Sequence, residues 1–234
     1  MLIFSIDSSA LVASAALCDG DKLIAEITAD NGNTHSETLL PMVETLLKIS
    51  NKTISDVELF AASNGPGSFT GVRIGAATLK GLAFGRDIPT VEVSTLEALA
   101  ENISFFEGLI CPVMNARRSQ VYTALFRSDG KTLTRLVEDS AMSISELDAM
   151  LSEYGEKVYF SGDGYDITLA GLEKTTAAHT PKKLRLQSAY SVASVALRNH
   201  REGLGVTTDR SFTVDYLRPS QAERELIEKN QAKN

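Results

Sequence analysis

Cysteine is scarce in this chain: two in 234 residues, Cys18 and Cys111, each inside an apolar strand-like run. That excludes a disulfide framework and a cysteine metal site, and it fits buried thiols in a reducing, cytoplasmic compartment. No apolar run approaches the roughly 18 residues of a membrane span. The opening Met1–Asp7 has no basic stretch and meets an acid early, unlike a secretory leader. Positive charge is in deficit, with 23 Lys and Arg against 30 Asp and Glu and a net charge of −7. A chain that binds nucleic acid by itself needs a basic field. Here only a local patch around Arg117, Arg118, Lys182, Lys183 and Arg185 offers one.

Histidine is nearly as rare. His35 opens a helical pattern, but a metal-binding helix needs a second ligand four residues on, on the same face, and that position is Leu39. His179 and His200 stand alone. There is no G-x-S-x-G elbow and no G-x-x-x-x-G-K-[ST] loop. A G-x-G-x-x-G reading fails as well, because after Gly65 and Gly67 the third glycine position holds Thr70. No catalytic residue, metal or cofactor is assigned on these grounds.

What the chain does contain is Asn64-Gly65-Pro66-Gly67-Ser68-Phe69-Thr70-Gly71-Val72-Arg73-Ile74-Gly75. It joins a strand pattern (57–63) to a helix pattern (69–84). Gly65-Pro66-Gly67 demands a tight turn, and Ser68 is placed to cap the helix. Gly71 and Gly75 lie four apart on one face, continued by Thr78 and Leu82. Each glycine costs about 1 kcal/mol against alanine in a helix, so something must lie close against that face. Three occupants fit: the chain's own fold, another chain's helix, or a phosphate at the helix N-terminus.

In chain order, Leu2–Ile6 is a buried strand ending in Asp7-Ser8-Ser9. Strands at 11–18 and 22–28 flank Asp19-Gly20, a type I′ hairpin signal. Thr34 with Glu37 is a capping box for a helix with the stripe Leu39, Met42, Val43, Leu46 and Leu47, interrupted by Pro41. After the strand-turn-helix come a strand at 89–93 and a helix boxed by Ser94 and Glu97. Then the order restarts: strands at 109–114 and 120–126, an Asp129-Gly130 hairpin, a return strand at 131–137, a helix boxed by Ser143 and Glu146, and a strand at 157–160. Gly162-Asp163-Gly164 follows, then a loop at 175–183 and a helix capped by Ser188 that stops at Gly203. The repeat of element order predicts an α/β fold with a mixed sheet in each of two lobes, joined near 105–108. Asp7, Ser8, Ser9, Gly162 and Asp163 read either as turn residues or as weak nucleotide-binding loops, one per lobe.

The block from Asn64 to Gly75 resembles the signature of the bacterial TsaB (YeaZ) family. Ile6-Asp7-Ser8, Thr34-His35-Ser36-Glu37, Val93-Ser94-Thr95-Leu96, Ala116-Arg117 with Val121-Tyr122, and Tyr216-Leu217-Arg218 agree with it. Asn115 and Ser119 depart from it, where the family often has an aspartate and a glycine. The resemblance implies the actin, Hsp70 and sugar-kinase superfamily, with a duplicated ribonuclease-H-like architecture: a first lobe at 1–106, a second at 107–211, and a tail, 212–234, returning to the first. It implies a non-catalytic, activating subunit in forming N6-threonylcarbamoyladenosine at position 37 of ANN-decoding tRNAs. The implied partners are a metal-binding TsaD-like paralogue and a TsaE-like ATPase. RNA is met only through that complex; separately, the apolar face of the helix pattern offers a surface for a homodimer when the chain is alone. Pairing through first-lobe helices would use Leu39, Met42, Val43, Leu46, Phe69, Gly71, Val72, Gly75, Thr78 and Leu79. The competing readings are a sugar-kinase-type ATP-dependent phosphotransferase and a glycoprotease-like metallopeptidase.

Overall fold

The computed structural model describes residues 1–217; the charged stretch from Glu223 to Asn234 lies outside the described residues. The first apolar runs form β1 (Leu2–Asp7), β2 (Ala13–Asp19) and β3 (Lys22–Ala29). β1 is buried throughout, as a run without polar alternation requires of a central strand. Asp19 pairs with Lys22 around a two-residue turn. Gly20 there has φ 61° and Asp21 does not share the positive sign. That is the II′ pattern, not the expected I′.

α1 (His35–Ile49) starts where Glu37 accepts from the Thr34 amide at 3.3 Å and its hydroxyl at 2.7 Å. Pro41 lies within α1, so the Glu37 carbonyl has no i+4 amide donor. β4 (Leu59–Gly65), α2 (Phe69–Ala83), β5 (Thr90–Ser94) and α3 (Thr95–Glu101) complete the first half. β6 (Gly108–Asn115), β7 (Gln120–Ser128), β8 (Leu133–Ser143), α4 (Ile144–Ser152) and β9 (Val158–Ser161) repeat the order. α5 (Tyr165–Gly171), β10 (Ala177–Ala178), α6 (Ala189–Glu202) and β11 (Val206–Thr207) follow.

One sheet runs β11-β5-β4-β1-β2-β3 and the other β10-β9-β6-β7-β8. β1-β2-β3 and β6-β7-β8 are antiparallel meanders. β4 and β5, and in the second sheet β9 and β10, add in parallel. With β11 set aside, both sheets have the order 3-2-1-4-5. This is the duplicated ribonuclease-H-like architecture with mixed sheets.

α1 and α2 cover one face of the first sheet, burying Leu39, Val43, Leu46 and Leu79 with Phe4, Ile6 and Phe60. α6 covers its other face, with Val192 and Val195 against Ile3, Leu59 and Val91. α3 and the turn after it bring Leu96, Leu99 and Ile103 against Ile110, Met114 and Phe126 of the second sheet. The lobes therefore exchange helices. α6, starting at Ala189, already packs on the first sheet, the chain from Phe212 joins the first core again, and α3 from the first half helps build the second core. Helix packing thus crosses the expected boundaries at 106 and 211. Apolar spacing shows that a helix has a buried face; it does not say which sheet receives it.

Candidate functional site

The turn after β1 is where the first sheet meets α2. Asp7 Oδ1 accepts from the Ser9 amide at 2.8 Å and the Ser9 hydroxyl at 2.6 Å; Oδ2 accepts from the Ser63 hydroxyl at 2.5 Å. Asp7 is 1% exposed. Burial pushes its carboxyl above the ordinary range, opposed by the bonds from Ser63 and Ser9. Ser8 Oγ donates to the Gly71 carbonyl at 2.9 Å, and the Ser68 amide donates to the Ser9 carbonyl at 2.7 Å. A Cβ on Gly67 would meet the Ser9 carbonyl oxygen at 2.4 Å, one on Gly71 the Ser8 carbonyl oxygen at 2.1 Å, and one on Gly75 the Ser8 hydroxyl at 2.5 Å.

The occupant of the glycine face is therefore the chain's own Ser8-Ser9 turn. This corrects the expectation of another chain's helix there. It also removes Asp7, Ser8 and Ser9 as ligand-facing groups, because their polar atoms are spent on each other, Ser63 and α2. Gly162 and Gly164 behave alike: a Cβ on Gly162 would lie 2.1 Å from the Val113 carbonyl oxygen, and the Gly164 amide donates to it at 3.1 Å. Of the five weak nucleotide-loop residues, Ser9 and Asp163 line an open space, and the Ser9 hydroxyl is turned to Asp7. Asp163 accepts from the Asn115 amide at 3.1 Å, and burial pushes its carboxyl up.

That space is a cleft of about 590 Å³ between the lobes. One wall is Pro66 to Thr70 with Leu11. The opposite wall is Met114 to Arg117 with Tyr122, and Asp215 to Leu217 edge it. The edge is a strap. Phe212 is buried in the first core, the Asp215 amide donates to the Asn64 carbonyl at 2.8 Å, and the Asp215 carbonyl oxygen would lie 2.3 Å from a Cβ on Gly65. Tyr216 then packs on Phe69, ring centres 4.9 Å apart, and accepts from Arg73 Nε at 2.6 Å. Arg73 lies 3.7 Å above the Phe69 ring. Sequence spacing gives no hint of this contact, because Arg73 is 143 residues from Tyr216.

His35 sits at the first position of α1, half-buried, with Nε2 donating to the Ala10 carbonyl at 2.8 Å. Leu39, four residues on, is in the core. Among the described residues, no three His, Cys, Asp or Glu side chains gather as a metal site. No helix there is long and apolar enough to cross a membrane. Of the ten residues expected at a partner interface, eight are buried inside this chain: Leu39, Met42, Val43, Leu46, Gly71, Val72, Gly75 and Leu79. Phe69 and Thr78 are half-buried. The helical stripe that spacing picks out is the one facing the chain's own sheet.

Comparison with known proteins places this geometry. The family model described as TsaD, tRNA N6-adenosine threonylcarbamoyltransferase, matches residues 23–232. The chain is 34% identical to the tRNA threonylcarbamoyladenosine biosynthesis protein TsaB of Bacillus subtilis, covering 97% of this chain and 99% of that one. It is 29% identical to TsaB of Escherichia coli, over 97% of this chain and 98% of that one. YeaZ from Pseudomonas aeruginosa superposes with a TM-score of 0.78 at 23% identity, over 92% and 99% of the two chains, which establishes the shared fold. The chain belongs to the TsaB family of tRNA threonylcarbamoyladenosine biosynthesis proteins, built on the domain of the threonylcarbamoyltransferase family model.

Proposed function

We propose that this chain is the non-catalytic, activating subunit of the assembly that forms N6-threonylcarbamoyladenosine at position 37 of ANN-decoding tRNAs. It pairs with a TsaD-like catalytic paralogue in the cytoplasm, a TsaE-like ATPase joins them, and a second copy takes the partner's place when the chain is alone. One observation carries this reading. His35 is committed to the Ala10 carbonyl, and the position that would complete a histidine pair is core leucine, Leu39.

Pairing falls to the outward faces of α1 and α2, which lie side by side on the first sheet. Leu40 is 51% exposed. Ala77 and Gly81, one turn apart on α2, are exposed, and nothing lies within 4 Å of the space a Gly81 Cβ would fill. Small residues there let another helix approach closely. The competing readings ask for other geometry. A phosphotransferase needs Asp7 facing the cleft, and its oxygens serve Ser9 and Ser63. A metallopeptidase needs a ligand at Leu39.

The test is reconstitution from this chain, its TsaD-like partner, the TsaE-like ATPase, threonylcarbamoyl-adenylate and unmodified tRNA, each omitted in turn. Product should require this chain, and the chain alone should make none. Product from the chain alone, or undiminished product without it, overturns the reading. Ala77→Arg and Gly81→Arg should leave the monomer's stability within about 0.5 kcal/mol. They should weaken the heterodimer at least tenfold, roughly 1.4 kcal/mol, by sedimentation.

A further inference from the structure

We infer that the mouth of the inter-lobe cleft, lined by Arg117 and Tyr216 and flanked by their neighbours Arg118 and Arg73, holds a nucleotide of the RNA strand from outside. The inference rests on the proposed function and names which surface of this chain would meet the RNA.

The charge is placed for it. Among the described residues Arg127, Arg135, Arg185 and Arg198 each pair with a carboxylate. Among those described residues Arg73, Arg117 and Arg118 form no ion pair, as Arg86, Arg201 and Arg210 form none elsewhere, in a chain with seven more acids than bases. Two carboxyls also line the cleft. Asp163 is turned to the Asn115 amide and held toward its neutral form by burial, and Asp215 is exposed on the strap.

The backbone is placed for it too. Arg117, Arg118 and Ser119 have φ of 63°, 52° and 57°, three non-glycine residues in succession in the left-handed region. Each costs about 1 kcal/mol or more. The turn is held by the Arg117 amide donating to Asn115 Oδ1 at 2.8 Å and the Ala116 amide to the Gln120 carbonyl at 3.0 Å. Its effect is to carry two exposed arginines on the tip of the β6–β7 hairpin.

Across the cleft, Tyr216 is 39% exposed and backed by Phe69 and Arg73, a face on which a base can stack. The glycine faces beside the cleft are filled by the chain's own turns. Gly67 and Gly71 lie on Ser9 and Ser8, and Gly162 on Val113, with no room for even one added carbon. A ligand that uses the exposed groups, Arg117, Arg118 and Tyr216, is held at the rim, by charge and stacking. A strand presented by a partner meets that geometry better than a free nucleoside triphosphate.

The experiment measures unmodified tRNA binding to the complex of this chain with its TsaD-like partner, across a salt series, alongside modification activity and assembly. Arg117→Ala with Arg118→Ala should weaken binding roughly tenfold and reduce the slope of log affinity against log salt by about 1.5. The double lysine variant should recover the slope. Tyr216→Ala should weaken binding severalfold with the slope unchanged. Wild-type affinity and slope in the alanine pair overturn the inference. So does loss of assembly in place of RNA affinity, which makes the hairpin a protein-docking surface. So does loss of ATP or AMP binding by the isolated chain with tRNA binding intact, which makes the rim a mononucleotide site. If the wild-type chain adds nothing to modification, the proposed function fails and this inference with it. If it is required and the variants bind tRNA normally, this inference alone falls.

Discussion

A methyl group on Gly71 would sit 2.1 Å from the Ser8 carbonyl oxygen, a backbone atom that cannot swing aside. Gly71→Ala must therefore separate α2 from the turn after β1 and break the Ser8–Gly71 hydrogen bond. A loss of about 3 kcal/mol of folding stability is expected by urea denaturation, so this position tests the fold and not the interface. Asp7 gives a second prediction. Burial, acting against the bonds from Ser63 and Ser9, raises its folded-state value. The folded chain then keeps a proton that the unfolded chain has released. Stability falls as pH rises from the ordinary carboxylate range through the folded-state value. Asp163, raised by burial, adds in the same direction. Asp7→Asn keeps an acceptor for Ser9 and removes the titration. Its urea midpoint should fall less than wild type's as pH rises above about 4.

Helix ends show what spacing can and cannot reveal. Glu26 on β3 accepts from the Ser188 hydroxyl at 2.7 Å and the Tyr190 amide at 3.1 Å, so it caps α6 from another element. Ser14 Oγ, itself donating to Glu26, accepts from the Ala189 amide at 3.0 Å. Glu26→Ala should cost about 1–2 kcal/mol by thermal melting, since it orphans first-turn donors where α6 docks on the first sheet. The Ser188 cap and the Gly203 stop were legible because they lie within a few residues of the helix; Glu26 is 162 residues away. The Ser143–Glu146 box forms in full, with bonds of 3.2 and 2.8 Å. The Ser94–Glu97 box forms by half: Ser94 accepts from the Glu97 amide at 3.2 Å, but the Glu97 carboxylate turns to Arg135 and Arg198. α5 carries no start signal in the sequence, because Gly164 offers it no side-chain cap. β10 and β11 are two residues each and exist only through their pairing. In the site, the strand-turn-helix was legible and its occupant was not, since small residues mark close approach without saying to what.

Across the whole molecule, the lobes are tied by packing and by charge. Arg135 on β8 pairs with Asp139 and, at 3.2 Å, with Glu97 on α3; Arg198 on α6 pairs with Glu97 at 2.7 Å and Glu101 at 3.3 Å. Ser94 donates to Asp139 at 2.5 Å. Arg135 is mostly enclosed and stacked on Phe126, so Arg135→Ala leaves part-buried Asp139 without its cation and Glu97 with Arg198 alone. A loss of about 2 kcal/mol is expected, discounted from a fully buried pair for solvent contact. That loss should shrink in molar salt when denaturation curves are compared by heat.

The exchange of helices between the sheets also sets a timetable for synthesis. The face of the first sheet carrying Ile3, Leu59, Val91 and Val93 is covered by α6. Its outermost strand, β11, is translated later still. A ribosome completes β5 at Ser94 and reads about a hundred further codons before the cover for that face exists. Until then the nascent chain carries an open apolar sheet face, and this protein's first-made half is among the last of its parts to finish folding.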